Sequence, residues 1–299
     1  MPVIIPHDLP AKKILNSENI FVRTKTSESN NYLKNLKLAI VNLMPTKIET
    51  ETQLLRMLST TPLEIDVDFI RVTSHESKNI SKEHLEKFYK TFDEIKEDKY
   101  DAMIVTGAPI ERIQYTQVDY WEELKQILDF ADEKVTSTMF ICWGSQAALY
   151  HYYGIEKYEF QRKLTGVYKN KVVENDILTR GFDKYFYAPQ SRYTYCKEEE
   201  LKNIKDLKII AKSEEAGVHL ATTIDNSKLF VFGHSEYDEN TLDKEYRRDL
   251  LQESEPIIPC NYYKDDNPSN EILVRWKAHG NLLFNNWINN IDNSKKYVL

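Results

Sequence analysis

The stretch MFICWGSQAALYHYYG, residues 139–154, decides how the chain is read. Met139, Phe140 and Ile141 close an apolar run, Cys142 follows, and Gln146-Ala147-Ala148-Leu149 opens a helix. A thiol therefore stands at the seam between a strand and a helix. That seam projects a side chain out of the sheet on a strained turn, the arrangement called a nucleophile elbow. Gly144 leaves room for the tight turn. Amides opening the helix, and the helix dipole, favour the thiolate. The Trp143 amide is placed to stabilise an oxyanion, with a second amide expected from another strand-end loop. Most cysteines are buried small hydrophobes, and Cys196 and Cys260 have no such context and are read that way.

Working outward, LKLAIVNLM (36–44) and YDAMIVTG (100–107) are nearly continuous apolar runs, as expected of strands buried on both faces. IDVDFIRV (65–72) alternates like a strand, and STMFIC (137–142) leads into the cysteine. Helices are expected between them. Thr46 and Glu49 suggest a capping box opening one with Ile48, Thr52, Leu55 and Leu58 on one side. A polar helix is expected over 81–97, and another over 120–132 carries Leu124, Ile127, Leu128 and Ala131. Strand–helix alternation with short loops implies an α/β fold: a doubly wound, mostly parallel sheet flanked by helices. Ligands bind such sheets outside the carboxyl ends of the strands, where Cys142 and the Gly107-Ala108-Pro109 turn both fall.

From residue 160 the chain is strand-rich: 163–173, 184–195, 207–213, 218–225 and 228–234, the last two flanking Asn226 as a hairpin. Helices return at about 240–253 and 278–291. Residues 1–34, with prolines at 2, 6 and 10, are expected to form an irregular arm, and 35–299 a single α/β domain.

Bulk properties narrow the function. The 299 residues carry a net charge of −7 with both signs mixed, so nucleic acid and anionic membrane are poor partners. No signal peptide or spanning run is apparent, and three widely spaced cysteines without a C-x-x-C pattern suggest reduced thiols in the cytoplasm. No H-x-x-x-H pattern or G-x-x-x-x-G-K-[ST] loop occurs, so neither a metal nor a bound cofactor is expected. A thiol nucleophile needs a base. Among seven histidines, His234 in KLFVFGHSEYD follows an apolar strand, and Glu236 is positioned to hold its tautomer and stabilise its cation.

Cys142 followed by W-G-x-Q, with a late His-x-Glu, resembles the class I glutamine amidotransferase superfamily. Within it the chain resembles the homoserine O-acyltransferases of methionine biosynthesis. The likeness runs through the MPVIIP…LPA…ENIFV arm, VNLMPTKIETETQLLRML, TGAPIE, FICWGSQAALYHYYGI, APQSRYTY, GHSEYD and WKAHGNLLFNNWIN. It implies a ping-pong reaction in which Cys142 carries an acyl group from acyl-CoA to the hydroxyl of L-homoserine, His234 is the general base and Glu236 orients it. It further implies Lys163, Ser191 and Arg248 as substrate-binding residues, acyl-CoA as cosubstrate, and a homodimer. Glu111, after Gly-Ala-Pro-Ile, falls where the family carries glycine with succinyl-CoA and glutamate with acetyl-CoA. A carboxylate there would fill space beyond the thioester and repel the free carboxylate of succinyl, unless Arg112 turns inward to neutralise it. Succinyl transfer, glutamine hydrolysis and a non-enzymatic binding role are the alternatives. Two residues depart from family habit: Ser235 replaces a proline between His234 and Glu236, and Phe140 stands where amidotransferases carry a glycine, which counts against glutamine hydrolysis.

Overall fold

The computed structural model describes residues 3–25, 35–75, 79–252 and 256–296. Its first half alternates as the apolar runs require. β1 (Val3–Ile5), α1 (Pro10–Ser17) and β2 (Arg23–Thr24) precede β3 (Leu36–Val41), α2 (Lys47–Leu58), β4 (Ile65–Ile70), α3 (Lys82–Phe88), β5 (Tyr89–Lys90), α4 (Phe92–Ile95) and β6 (Tyr100–Val105). Then come α5 (Trp121–Lys134), β7 (Val135–Ile141) and α6 (Trp143–Tyr153). The second half holds β8 (Tyr158–Val172), β9 (Tyr185–Tyr195), α7 (Glu198–Lys202), β10 (Leu207–Ser213), β11 (Gly217–Thr223), β12 (Lys228–Val231), α8 (Thr241–Gln252) and α9 (Lys277–Lys296).

Among the described residues these strands form one sheet in the order β2-β1-β4-β3-β6-β7-β12-β11-β10-β8-β9, with β5 added beside β4. Every pair from β2 to β12 is parallel, and every pair from β12 to β9 is antiparallel. β12 is therefore the junction of the two halves. Strand residues alternate between two cores. Leu38, Ile40, Val67, Phe69, Ile104 and Met139 face α1, α2 and α9, whereas Ala39, Val41, Met103, Val105 and Phe140 face α5 and α6. Phe140 stacks on Phe230 of β12 with ring centroids 5.4 Å apart, so it is a core residue of the parallel sheet. Trp287 of α9 donates its indole N–H to Ser137 Oγ at 2.9 Å, tying the last helix to β7.

The expected α/β class, the parallel first half, the strand-rich second half and the hairpin at Asn226 are all present, the turn having Asn226 at φ 59°. Three local expectations are corrected. Residues 3–24 are not irregular: β1 adds to the sheet in parallel with β4, and Ala11 and Leu15 of α1 are buried against it. The expected helix over 81–97 is broken, because Tyr89 and Lys90 leave the helix to pair with Phe69 and Ile70. Burying the Tyr89 ring against the sheet outweighs continuing a polar helix. No capping box forms at Thr46 and Glu49. Thr46 makes no side-chain cap, and Glu49 instead pairs with Lys244 Nζ at 2.7 Å. That motif appears at Thr91–Glu94, where the Glu94 carboxylate accepts from the Thr91 backbone N–H at 2.7 Å.

Candidate active site

Cys142 lies one residue beyond β7. Its amide still donates to Val231 O of β12 at 2.7 Å, while its carbonyl already accepts from Ser145 N at 3.0 Å and Gln146 N at 3.3 Å, opening α6. Meeting both demands forces φ 51° and ψ −115°, a backbone setting unfavourable for a residue with a side chain. The Ser145 hydroxyl donates toward Phe140 O at 2.7 Å and Val231 O at 3.0 Å, pinning the turn from below. Gln146 is locked to β9 by exchanging hydrogen bonds with Thr194, at 3.1 and 2.7 Å. Gly144 is required for close approach rather than for the turn. A Cβ there would lie 2.7 Å from Thr106 O and 2.8 Å from Val105 O, so the first turn of α6 rests directly on the end of β6. Gly107 of the TGAPIE loop is set against the elbow: a Cβ on it would stand 3.3 Å from Cys142 Cβ and 3.6 Å from Trp143 N. The TGAPIE loop and the Trp143 amide thus meet beside Cys142.

His234 is held by its own amide, which donates to Pro189 O at 2.9 Å, and Gly233 before it packs so closely that a Cβ would meet Pro189 O at 2.7 Å. Its Nδ1 is 2.7 Å from Glu236 Oε1, both side chains being buried. With Nδ1 occupied by Glu236, Nε2 is the nitrogen left to serve the Cys142 thiol, which lies close enough for its charge to act on the ring. Burial alone would push the imidazole pKa down. The charges of Cys142 and Glu236, with the hydrogen bond to Glu236, outweigh burial and hold it well above its usual value. The imidazole thus pairs with the Glu236 carboxylate and stands within electrostatic reach of Cys142, which is only 3% exposed.

Glu111 is also buried here, close enough to His234 and Lys163 for their charges to act on it. Desolvation raises its pKa despite those two cations and a hydrogen bond from its own amide. Arg112 turns away and pairs with Glu159 at 3.5 Å, so it does not neutralise Glu111.

The three residues marked by family likeness gather on α8. Lys163 Nζ is 2.7 Å from Asp249 and 3.5 Å from Glu245, and its side chain is buried rather than a surface charge. Ser191 Oγ donates to Glu245, and Arg248 grips Asp249 at 2.7 and 3.0 Å from a more exposed position. Glu245 also accepts from the Tyr237 hydroxyl at 2.9 Å. The Tyr237 ring stacks on His234 with centroids 4.2 Å apart and planes within 16°. A hydrogen-bonded path thus runs from Ser191 through Glu245 to the ring that covers the imidazole, with Lys163 joined to it as an ion pair.

Sequence reasoning missed Tyr237, Glu245 and Asp249, and also Arg192. The Arg192 guanidinium is buried behind the site, donating to Phe232 O at 2.9 Å, Ala216 O at 2.7 Å and the Gln190 side chain. Burial pulls its pKa down, countered by the nearby charge of Cys142. His219, beside Gln190, is kept neutral: burial, Arg192 and His234 all lower its pKa, to about 3. Only the HSEYD run offered a signal, for Tyr237. Among the described residues no His, Cys, Asp or Glu cluster could hold a metal ion, and no helix is long and apolar enough to cross a membrane.

Solved structures similar to the chain share its fold. A glutamine amidotransferase from Thermotoga maritima aligns with a TM-score of 0.55 at 13% identity, over 87% of this chain and 99% of that one. A glutamine amidotransferase from Methylobacillus flagellatus aligns with a TM-score of 0.53 at 11% identity, over 86% and 95%. Sequence relatives are much nearer. Proteins named homoserine O-acetyltransferase from Bacillus cereus (strain ZK / E33L) and Clostridium novyi (strain NT) are each 50% identical over 290 residues, covering 97% of this chain and 96% of theirs. The family model described as homoserine O-succinyltransferase matches residues 2–297, so an amidotransferase-like sheet here carries an acyltransferase, and the chain belongs to the homoserine O-succinyltransferase family.

Proposed function

We propose that the chain transfers an acetyl group from acetyl-CoA to the hydroxyl of L-homoserine through a thioester on Cys142. The observation that carries this reading is the buried His234–Glu236 pair close to Cys142 on its strained strand-end turn, with the buried Glu111 beside it. The sulfur, having given its proton to His234, attacks the thioester carbonyl. The oxyanion forms against the Trp143 amide and the amide of Gly107 or Ala108, the Thr106 amide being already given to Val41 O. Collapse expels the CoA thiolate, which takes the proton from His234, leaving acetyl-Cys142 and a neutral imidazole. His234 then removes the hydroxyl proton of L-homoserine, the alkoxide attacks the acetyl carbonyl, and O-acetyl-L-homoserine departs as the Cys142 thiolate re-forms beside the imidazolium. Glu236 stabilises that cation in both halves.

Lys163 and Arg248 offer cations, and Glu245 and Asp249 carboxylates, to the carboxyl and amino groups of an amino-acid acceptor. Glu111 excludes the longer, charged succinyl chain by filling its space and by facing its carboxylate with another. We infer further that acetyl-CoA is a cosubstrate and not a resident cofactor, that the enzyme works in the cytoplasm as a homodimer, and that neither nucleic acid nor membrane is a partner. The test is to incubate the protein with acetyl-CoA alone and digest it. One acetyl group should appear on the peptide holding Cys142, L-homoserine should discharge it, and succinyl-CoA should leave that peptide unmodified. Acetylation elsewhere, or a label that L-homoserine does not remove, refutes the proposal.

A further inference from the structure

The sheet order divides the surroundings of Cys142 in two. On the β12 side lie β8, β9 and α8, whose Lys163, Ser191, Arg248, Glu245 and Asp249 form a charged wall. On the β6 side lie the loops that leave the carboxyl ends of β6, β3 and β4. These enclose a separate cavity of about 450 Å³, within the range of small-molecule sites. Its wall is mainly apolar, with Met44 after β3, Val72 after β4, and Pro109, Ile110, Ile113 and Val118 after β6. A lysine reaches it: Lys47, whose ammonium is held by Asn42 O at 2.6 Å and Met44 O at 3.3 Å. The cavity shares the TGAPIE loop with the catalytic centre. Ala108, Pro109 and Ile110 line the cavity, while Gly107, one residue before them, abuts Cys142, and Glu111, one residue after, lies in the site.

We propose that this cavity seats the pantetheine arm of the acyl-CoA donor, so that donor and acceptor reach one sulfur from opposite sides of the TGAPIE loop. The inference rests on the acetyltransferase reading. An arm of methylene and amide groups suits an apolar channel with a few polar points, here the buried Lys47 ammonium, already held by two backbone carbonyls, and the His75–Asp119 pair at the wall. The zwitterionic acceptor suits the opposite wall, where several cations and carboxylates face one another, better than this mainly apolar one. The arrangement also explains why acyl length is sensed at Glu111: an acyl group entering past Ile110 must pass that residue to reach the sulfur.

Ile113 and Gln117 are exposed rim residues of the cavity, so Ile113→Asp and Gln117→Trp obstruct it without disturbing the core. Two donors separate the effects: acetyl-CoA, and S-acetyl-N-acetylcysteamine, which keeps the thioester and first amide but lacks the rest of the arm. Acetyl-Cys142 formation is followed by mass spectrometry. The expected result is that each variant lowers the ratio of acylation efficiency with acetyl-CoA to that with the truncated donor by about tenfold or more, roughly the loss of 1.4 kcal/mol of arm binding, with the change confined to a rise in the KM for acetyl-CoA. An unchanged ratio in both variants overturns the cavity assignment while leaving the transfer chemistry intact. No acetyl-Cys142 from either donor in the parent protein overturns the functional reading, and this inference with it.

Discussion

Replacing Glu236 by glutamine keeps the size of the side chain and removes one charge, so it isolates what the carboxylate does for His234. The pair is buried, with Nδ1 and Oε1 2.7 Å apart. Taking the delocalised charges as about 4 Å apart at an effective dielectric of about 20, their attraction is about 4 kcal/mol. A neutral amide accepting the same hydrogen bond retains about 1 kcal/mol of it. The imidazolium therefore loses about 3 kcal/mol of stabilisation, which is about a hundredfold in rate if the ring carries full charge in the transition state. Glu236→Gln should lower kcat/KM for the transfer by about that factor. The pH profile supplies the second readout. Deacylation needs a neutral His234. The carboxylate raises the pKa of that ring, so the rate rises only as pH climbs through the raised value. Without the charge the ring gives up its proton at lower pH, and the rising limb of kcat should move to the acid side. Steady-state assays of CoA release from pH 5 to 9, with circular dichroism to verify folding, provide the measurement. A loss below about threefold, or less than 1 kcal/mol, or a limb that stays in place, would refute the orienting and charge-stabilising role given to Glu236.

Other consequences are equally open to measurement. Gly144→Ala forces a Cβ to within 2.7 Å of Thr106 O and 2.8 Å of Val105 O, both backbone atoms, so overpacking should cost about 1–3 kcal/mol; a urea midpoint equal to that of the parent would contradict the close approach described. Glu111→Gly should gain succinyl-CoA turnover. In the parent the Glu111 pKa is raised by burial, so its charge is lost as pH falls through that raised value, and the ratio of succinyl to acetyl use should rise toward acid; a flat ratio in the parent, or no gain in the variant, removes Glu111 as selector. Burial would raise the Asp68 pKa, but hydrogen bonds from Lys25 and Lys90 bring it down to about 2. Its contribution to stability is complete above the unfolded pKa of about 3.9 and disappears as pH falls toward 2. Asp68→Asn should therefore destabilise the protein at pH 7 and flatten its acid limb between about pH 4 and 2, as read by thermal melts.

The parts of the fold legible in sequence are those that a short window encodes. Leu36–Val41, Tyr100–Val105 and Val135–Ile141 are buried on both faces, so the apolar run is itself the signal. Cys142 was found because a strand end, a thiol and a small residue are adjacent, and His234 because an apolar strand delivers it beside Glu236. Two- and three-residue strands have no period to read, and only their neighbours make them strands: β4 for Val3–Ile5 and Tyr89–Lys90, and β1 in turn for Arg23–Thr24. Glu245 and Asp249 lie in TLDKEYRRDLLQ, a helix that reads as solvated because its partners, Lys163 and Ser191, are more than 50 residues away in sequence. Arg192 is opaque for the same reason: its carbonyl acceptors come from Ala216 and Phe232, so nothing near it marks a buried guanidinium.

The turn at Cys142 sets thermodynamics against chemistry. At φ 51° and ψ −115° the main chain would be more at ease with glycine, and a side-chain-bearing residue there forfeits about 1–3 kcal/mol. Natural drift that rewarded only resistance to heat would therefore erode the reactive sulfur early. Its persistence in a working enzyme has to be enforced by demand for the product, and a library screened for robustness alone should return inert proteins that melt later than their parent.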